Sequence, residues 1–135
     1  MRPEYLAKCG GTYSSEWFFS KILHCLRVDP AVYDAAYTWL EHADYMTGLL
    51  TGTNDPKVIK RCRCAAGHKA MFNDTWGGYP DKEFLSMLDP KLGQLRDTLS
   101  DQTFAIDTAA GYLTAEWAGK LSLTEGIPVA MGAFD

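Results

Sequence analysis

Gly126-Ile-Pro-Val-Ala-Met-Gly-Ala-Phe-Asp135 is a short apolar run followed by small residues and one carboxylate. A buried strand of an open α/β sheet has this order when it delivers an acidic side chain to the carboxyl edge of the sheet, where such folds bind ligands. The stretch predicts a strand from about Ile127, an α/β fold, and Asp135 as a candidate site residue. A chain whose last residue is that carboxylate is expected to be a piece of a larger enzyme.

Upstream, capping residues divide the chain into short helices. Thr114 predicts the start of a helix carrying Trp117 and Leu121. Asp81 and Asp89-Pro90 predict two more, because an Asp side chain satisfies free N–H groups and proline suits the first helical position. Asp29-Pro30 ends one helix and opens another. That earlier helix starts after Ser14-Ser15 and carries Phe18, Ile22, Cys25 and Leu26 on one stripe. Asp44–Leu50 reads as a helix closed at Gly52, a residue free to take the left-handed cap position. Pro56–Cys64 is expected to be a further helix. Tyr37–Leu40 has the β-branched and aromatic composition of a strand, Ser100–Thr108 reads as an edge strand, and Asn73–Pro80 as a loop around Trp76-Gly-Gly. Helices outnumber strands, so the sheet is expected to be incomplete.

The 135 residues allow one domain with a real core. With 47% apolar and 22% charged residues the composition is that of an ordinary globular chain. A net charge of −4 argues against a nucleic-acid or acidic-membrane surface. The basic cluster Lys57–Arg63 reads as a solvated helix face. No apolar stretch is long enough to span a bilayer, and the N-terminus lacks the apolar block of a signal peptide. A cytoplasmic setting with four reduced cysteines is the expectation.

Two polar residues invite a chemical role. Asp135 is one, against the alternative of a turn or cap residue. Lys69 is the other: in Gly67-His-Lys69 it follows residues small enough for close approach, so its ammonium can be aimed at a hydroxyl or phosphate. Cys62, Cys64 and His68, with Cys25 as a fourth, offer a loose zinc pattern. Structural zinc sites pair their ligands at CxxC-like or HxxxH spacing, so buried thiols are the better reading. The chain has no GxSxG, GxGxxG, P-loop or HExxH motif.

Six words of the sequence carry a family resemblance. They are Gly10-Gly-Thr-Tyr-Ser-Ser-Glu-Trp17, Cys64-Ala-Ala-Gly-His-Lys-Ala-Met-Phe72, Trp76-Gly-Gly-Tyr-Pro80, Leu88-Asp-Pro-Lys-Leu92, Gly111-Tyr-Leu-Thr-Ala-Glu-Trp-Ala118 and Gly132-Ala-Phe-Asp135. From about Cys9 to Asp135 the chain resembles the FGGY carbohydrate kinases, and the Ala-Gly-His-Lys-Ala and Gly-Ala-Phe-Asp words are those of the ribulokinase branch. The resemblance implies two ribonuclease-H-like (actin-like) domains with sugar and ATP meeting between them. Residues 1–135 would then be a single partial domain, the helix-rich second half of the sugar-binding domain. It implies phosphorylation of L-ribulose to L-ribulose 5-phosphate in arabinose catabolism, with ribitol or another related polyol still open. By the same match Asp135 corresponds to the base that accepts the proton of the attacking sugar hydroxyl, and Lys69 to a lysine that hydrogen-bonds the ketose.

The family's Asp-x-Gly-Thr phosphate loop and its Trp-Lys-Asp-His segment are not in this chain. ATP and magnesium are therefore assigned to the complete enzyme, with neither expected on this piece and no turnover by it alone. The alternative is a non-catalytic carbohydrate-binding remnant of a kinase fold. Strands separated from their sheet leave unpaired edges, so self-association is also expected.

Overall fold

The computed structural model describes residues 2–133. In chain order these form α1 (Pro3–Lys8), α2 (Phe18–Val28), α3 (Pro30–Ala35), α4 (His42–Thr51), β1 (Arg61–Cys62), α5 (Arg63–Lys69), a 3-10 turn (Asp74–Trp76), α6 (Lys82–Leu88), α7 (Pro90–Arg96), β2 (Thr103–Phe104), β3 (Ala109–Tyr112), α8 (Ala115–Leu121) and β4 (Pro128–Ala130). The mixture of helices with a small, incomplete set of strands agrees with the α/β class. The chain divides into two compact units. No helix among the described residues is long and apolar enough to cross a membrane.

One unit joins the residues up to Trp39 with Ala66–Asp101, and its described elements are helical. The three Asp caps act as the sequence predicts. Asp29 accepts from the Val32 N–H, Asp81 from Phe84 and Asp89 from Lys91, with Pro30 and Pro90 at the helix starts. Phe19, Ile22, Leu85 and Leu92 are buried together with Tyr5, Phe72, Tyr79 and Leu95 in one apolar cluster. Helices α6 and α7 approach closely because Gly93 has no side chain: a Cβ there would lie 1.9 Å from Ser86 Oγ. The loop holding Trp76 is fixed from the far side. Asp101 Oδ1 accepts from the Tyr79 N–H at 2.9 Å, while Arg96 binds both Asp101 oxygens and the Pro80 and Leu99 carbonyls. Tyr37–Leu40 is not a strand. It runs as a connection in which Thr38 hydrogen-bonds Thr98 and Trp39 packs on the cluster.

The other unit joins Leu40–Ala65 with the chain from Gln102 onward. Helix α4 closes at Gly52, left-handed at φ 68°. The helix expected over Pro56–Cys64 forms only at Arg63 and Cys64, which open α5. Asp55 Oδ1 takes the Lys57 N–H in a tight turn, and the chain then extends as β1, parallel to β2. The expected edge strand in Ser100–Thr108 shortens to β2, and β3, which local pattern does not announce, pairs antiparallel with β4.

The expected terminal strand is present but not buried. Pro128 and Ala130 are exposed and only Val129 is half-covered. Helix α4 packs on the β3–β4 ribbon where Gly111, opposite Val129, meets Thr51, and Ala110 of β3 is buried with Cys62, Ala65 and Met131. Asp135 lies outside the described residues.

Candidate functional site

Lys69 is the last residue of α5, and its position follows from how that helix ends. The Ala66 carbonyl accepts from both the Ala70 and Phe72 N–H groups, and between them Met71 takes a left-handed conformation at φ 53°. A methionine there is strained. The Met71 carbonyl is held by the Trp76 indole N–H at 3.2 Å, and the Trp76 ring packs edge-on against Tyr5. The words Ala-Gly-His-Lys-Ala-Met-Phe and Trp-Gly-Gly-Tyr-Pro thus meet in space. Gly67 sits within the helix rather than in a loop, and a Cβ built on it would lie 3.8 Å from the Lys8 ammonium and from the Phe72 carbonyl.

A second clamp comes from Tyr13. Its hydroxyl donates to the Lys69 carbonyl and accepts from the Phe19 N–H at 3.1 Å. The first helical N–H groups and last carbonyls have no partners within their own helices. Helix α2 starts at Phe18 with no side-chain cap from Trp17, and the serines expected to supply one lie too early. Ser14 Oγ instead takes the Glu16 N–H. One phenol therefore serves the start of α2 and the end of α5 together. Sequence reading missed it, although Tyr13 lies in the Gly10–Trp17 word.

Beside Tyr13 an open depression of about 750 Å³ runs along α2, lined by Ser15, Glu16, Ser20, Lys21, His24 and Arg27 among others. Lys69 is not part of its wall. Lys21 there pairs with Glu16 at 3.2 Å, and both side chains are well exposed, so the pair contributes little.

The other unit holds a buried acid that sequence reading also passed over. Asp44 in α4 is only 2% exposed, and its Oδ1 accepts from the Cys62 N–H of β1 at 2.8 Å. Burial pushes its carboxyl from the ordinary 3.8 up to about 6. The Cys62 N–H and the Arg61 guanidinium oppose that rise, and Glu41 adds slightly to it. No short window marks it: Asp44, Thr47 and Gly48 are buried at helical spacing, but an Asp-Thr-Gly stripe is not an apolar one.

Cys62 is fully buried, Cys64 half-buried and His68 exposed. Among the described residues no three His, Cys, Asp or Glu side chains gather where a metal ion could sit. Asp135 lies outside those residues, so of the two predicted site residues Lys69 alone is placed.

Nearly the whole chain has counterparts in known proteins. It is 44% identical over 132 residues to the ribulokinase of Vibrio parahaemolyticus, a match covering 98% of this chain and 23% of that protein. The ribulokinase of Shouchella clausii is 44% identical over 135 residues, covering 99% and 23%. That of Bacillus licheniformis is 38% identical over 132 residues, covering 97% and 23%. No family model matches the chain. The chain is thus similar to ribulokinases from end to end, as its six words indicated, and spans about a quarter of the length of the curated relatives it matches.

Proposed function

We propose that this chain is the second half of the sugar-binding, ribonuclease-H-like domain of an ATP-dependent kinase of the FGGY type, acting on L-ribulose or a related pentulose or polyol. The end-to-end match to ribulokinases is the observation that carries the reading. The rigid seat of Lys69 supports it. A lysine whose backbone is fixed at both the Tyr13 and the Trp76 sides presents a charged donor to a neutral polyol from a defined origin, which is what orienting one hydroxyl requires.

In this reading Asp135 accepts the proton of the sugar hydroxyl as its oxygen attacks the γ-phosphorus of ATP, and ADP leaves. Phosphoryl transfer runs through a loose transition state, so positioning and a single oriented carboxylate suffice on the sugar side. The chain holds no Asp-x-Gly-Thr phosphate loop, and among the described residues no carboxylates gather where magnesium could sit. These residues do not fit the nucleotide or its metal, and the reading assigns both to other parts of the complete kinase.

The test is a hybrid in which this chain replaces the matched segment of the Vibrio parahaemolyticus ribulokinase. ATP- and L-ribulose-dependent ADP formation is expected from the hybrid and not from the 135-residue chain alone. Asp135→Asn should cut the hybrid's kcat by about 10²-fold or more, the contribution of a positioned base. Lys69→Ala should raise its KM. A hybrid that folds but is inactive, or one indifferent to both substitutions, refutes the assignment.

A further inference from the structure

We infer that Tyr13 is a positioning residue for Lys69: its hydroxyl ties the start of α2 to the end of α5 and so sets where the Lys69 ammonium can reach. The inference deepens the sugar-binding reading of Lys69 and rests on it.

A phenol hydroxyl has a single proton to donate and lone pairs to accept with, and Tyr13 uses both functions on helix ends. It donates to the carbonyl of the very residue that carries the ammonium, and it accepts from the second residue of α2. Both partners are groups that a helix cannot satisfy internally. The ring is fixed independently, packing edge-on against Trp17 at 5.2 Å. The clamp therefore has a rigid body and two polar contacts at its tip.

The clamp matters for Lys69 because of the side chain's length. A lysine carries its ammonium on four flexible methylenes, so the region the ammonium can reach is centred on its backbone origin and moves with it. The far side of that origin is already held, through the strained Met71 and the Trp76 indole. Without the Tyr13 hydroxyl the near side loses its tie to α2, and the last turn of α5 can fray. Displacements of an ångström at a binding group are enough to lose productive geometry.

Tyr13→Phe keeps the ring and removes the hydroxyl, and with it the bonds to the Lys69 carbonyl and the Phe19 N–H. In the 135-residue chain, amide exchange at Phe19 should accelerate, and the NMR signals of the Lys69 side chain should shift while those of the second unit stay in place. In the hybrid kinase the same substitution should raise KM for L-ribulose by about two- to tenfold, the value of a lost hydrogen bond, with kcat within about twofold. Unchanged Lys69 signals and Phe19 exchange overturn the clamp outright. An active hybrid in which Lys69→Ala raises KM and Tyr13→Phe does not overturns the positioning role and leaves the sugar-binding reading standing. A hybrid in which Lys69→Ala itself has no effect sinks that reading, and this proposal with it.

Discussion

Asp44→Asn should make the second unit more stable at neutral pH relative to its effect in acid, the reverse of what removing a charged hydrogen-bond acceptor usually does. Well below pH 4 the Asp44 carboxyl is protonated in the folded and the unfolded chain alike, so burial carries no ionisation penalty. Between about pH 4 and 6 the unfolded chain releases the proton and the folded chain keeps it, because burial holds its pKa at about 6. The folded state therefore binds more protons, and stability falls as pH rises through this window. Above about pH 6 both states are ionised and the full penalty persists. The gap from 3.8 to about 6, at about 1.4 kcal/mol per pH unit, amounts to about 3 kcal/mol. Asparagine keeps an oxygen for the Cys62 N–H and cannot ionise. Whatever its amide costs in packing applies at both pH values, and the difference between them isolates the ionisation. The assay is urea unfolding at pH 4 and pH 7, followed through amide signals of α4 and β1. The gain from the substitution should be larger at pH 7 than at pH 4 by about 2–2.5 kcal/mol, the part of the full ~3 that falls between those pH values, and a carboxyl-carbon titration should place Asp44 near 6. A pH-independent difference, with Asp44 titrating near 4, refutes the reasoning.

Two further substitutions and one solution measurement test the rest of the packing. Gly78→Ala places a Cβ 1.9 Å from Asp101 Oδ1 at a backbone φ of 136°, so it must expel the carboxylate that Arg96 and the Tyr79 N–H hold. A loss of about 2–4 kcal/mol in thermal or urea unfolding is expected. Gly77→Ala, at φ 81° with open space around it, should cost only about 1–2 kcal/mol, and equal losses at both positions would contradict the clash argument. The β3–β4 ribbon is two-stranded among the described residues, with Tyr112 exposed opposite exposed Pro128. Light scattering should therefore show a mass that rises with concentration and falls back in Tyr112→Lys; a monomer at every concentration would refute it.

What could be read in the sequence was local. Asp29-Pro30, Asp81, Asp89-Pro90 and Thr114 each carry a cap within three residues of the N–H they satisfy, so their helices were predictable from short windows. Pro56–Cys64 failed for the opposite reason. Nothing in the window forbids a helix past the proline, yet Arg61 and Cys62 pair with Thr103 and Phe104, and the Cys62 N–H is taken by Asp44. Partners some 18 and 42 residues away in sequence decide that stretch. Tyr37–Leu40 shows the converse: strand composition without a partner strand leaves an extended connection. In β4 the apolar run marked a strand correctly. Whether its second face is covered depends on what packs there, which a window of ten residues does not contain.

The same division runs through the site. Lys69 was visible because its word is distinctive and its neighbours are small, and those are properties of contiguous residues. What makes Lys69 a defined donor is not contiguous. Tyr13 reaches it across 56 positions, and the Trp76 indole holds the next turn through the Met71 carbonyl. Asp44 escaped for a related reason: an acid in a helix reads as solvated until Cys62 is seen to close over it. Buried polar groups are fixed by partners brought together only by folding, and leaving one unpaired costs about 1–3 kcal/mol. In this chain the polar residues that pattern left unremarked, Tyr13 and Asp44, are therefore the ones whose substitution most directly separates a correct account of the packing from an incorrect one.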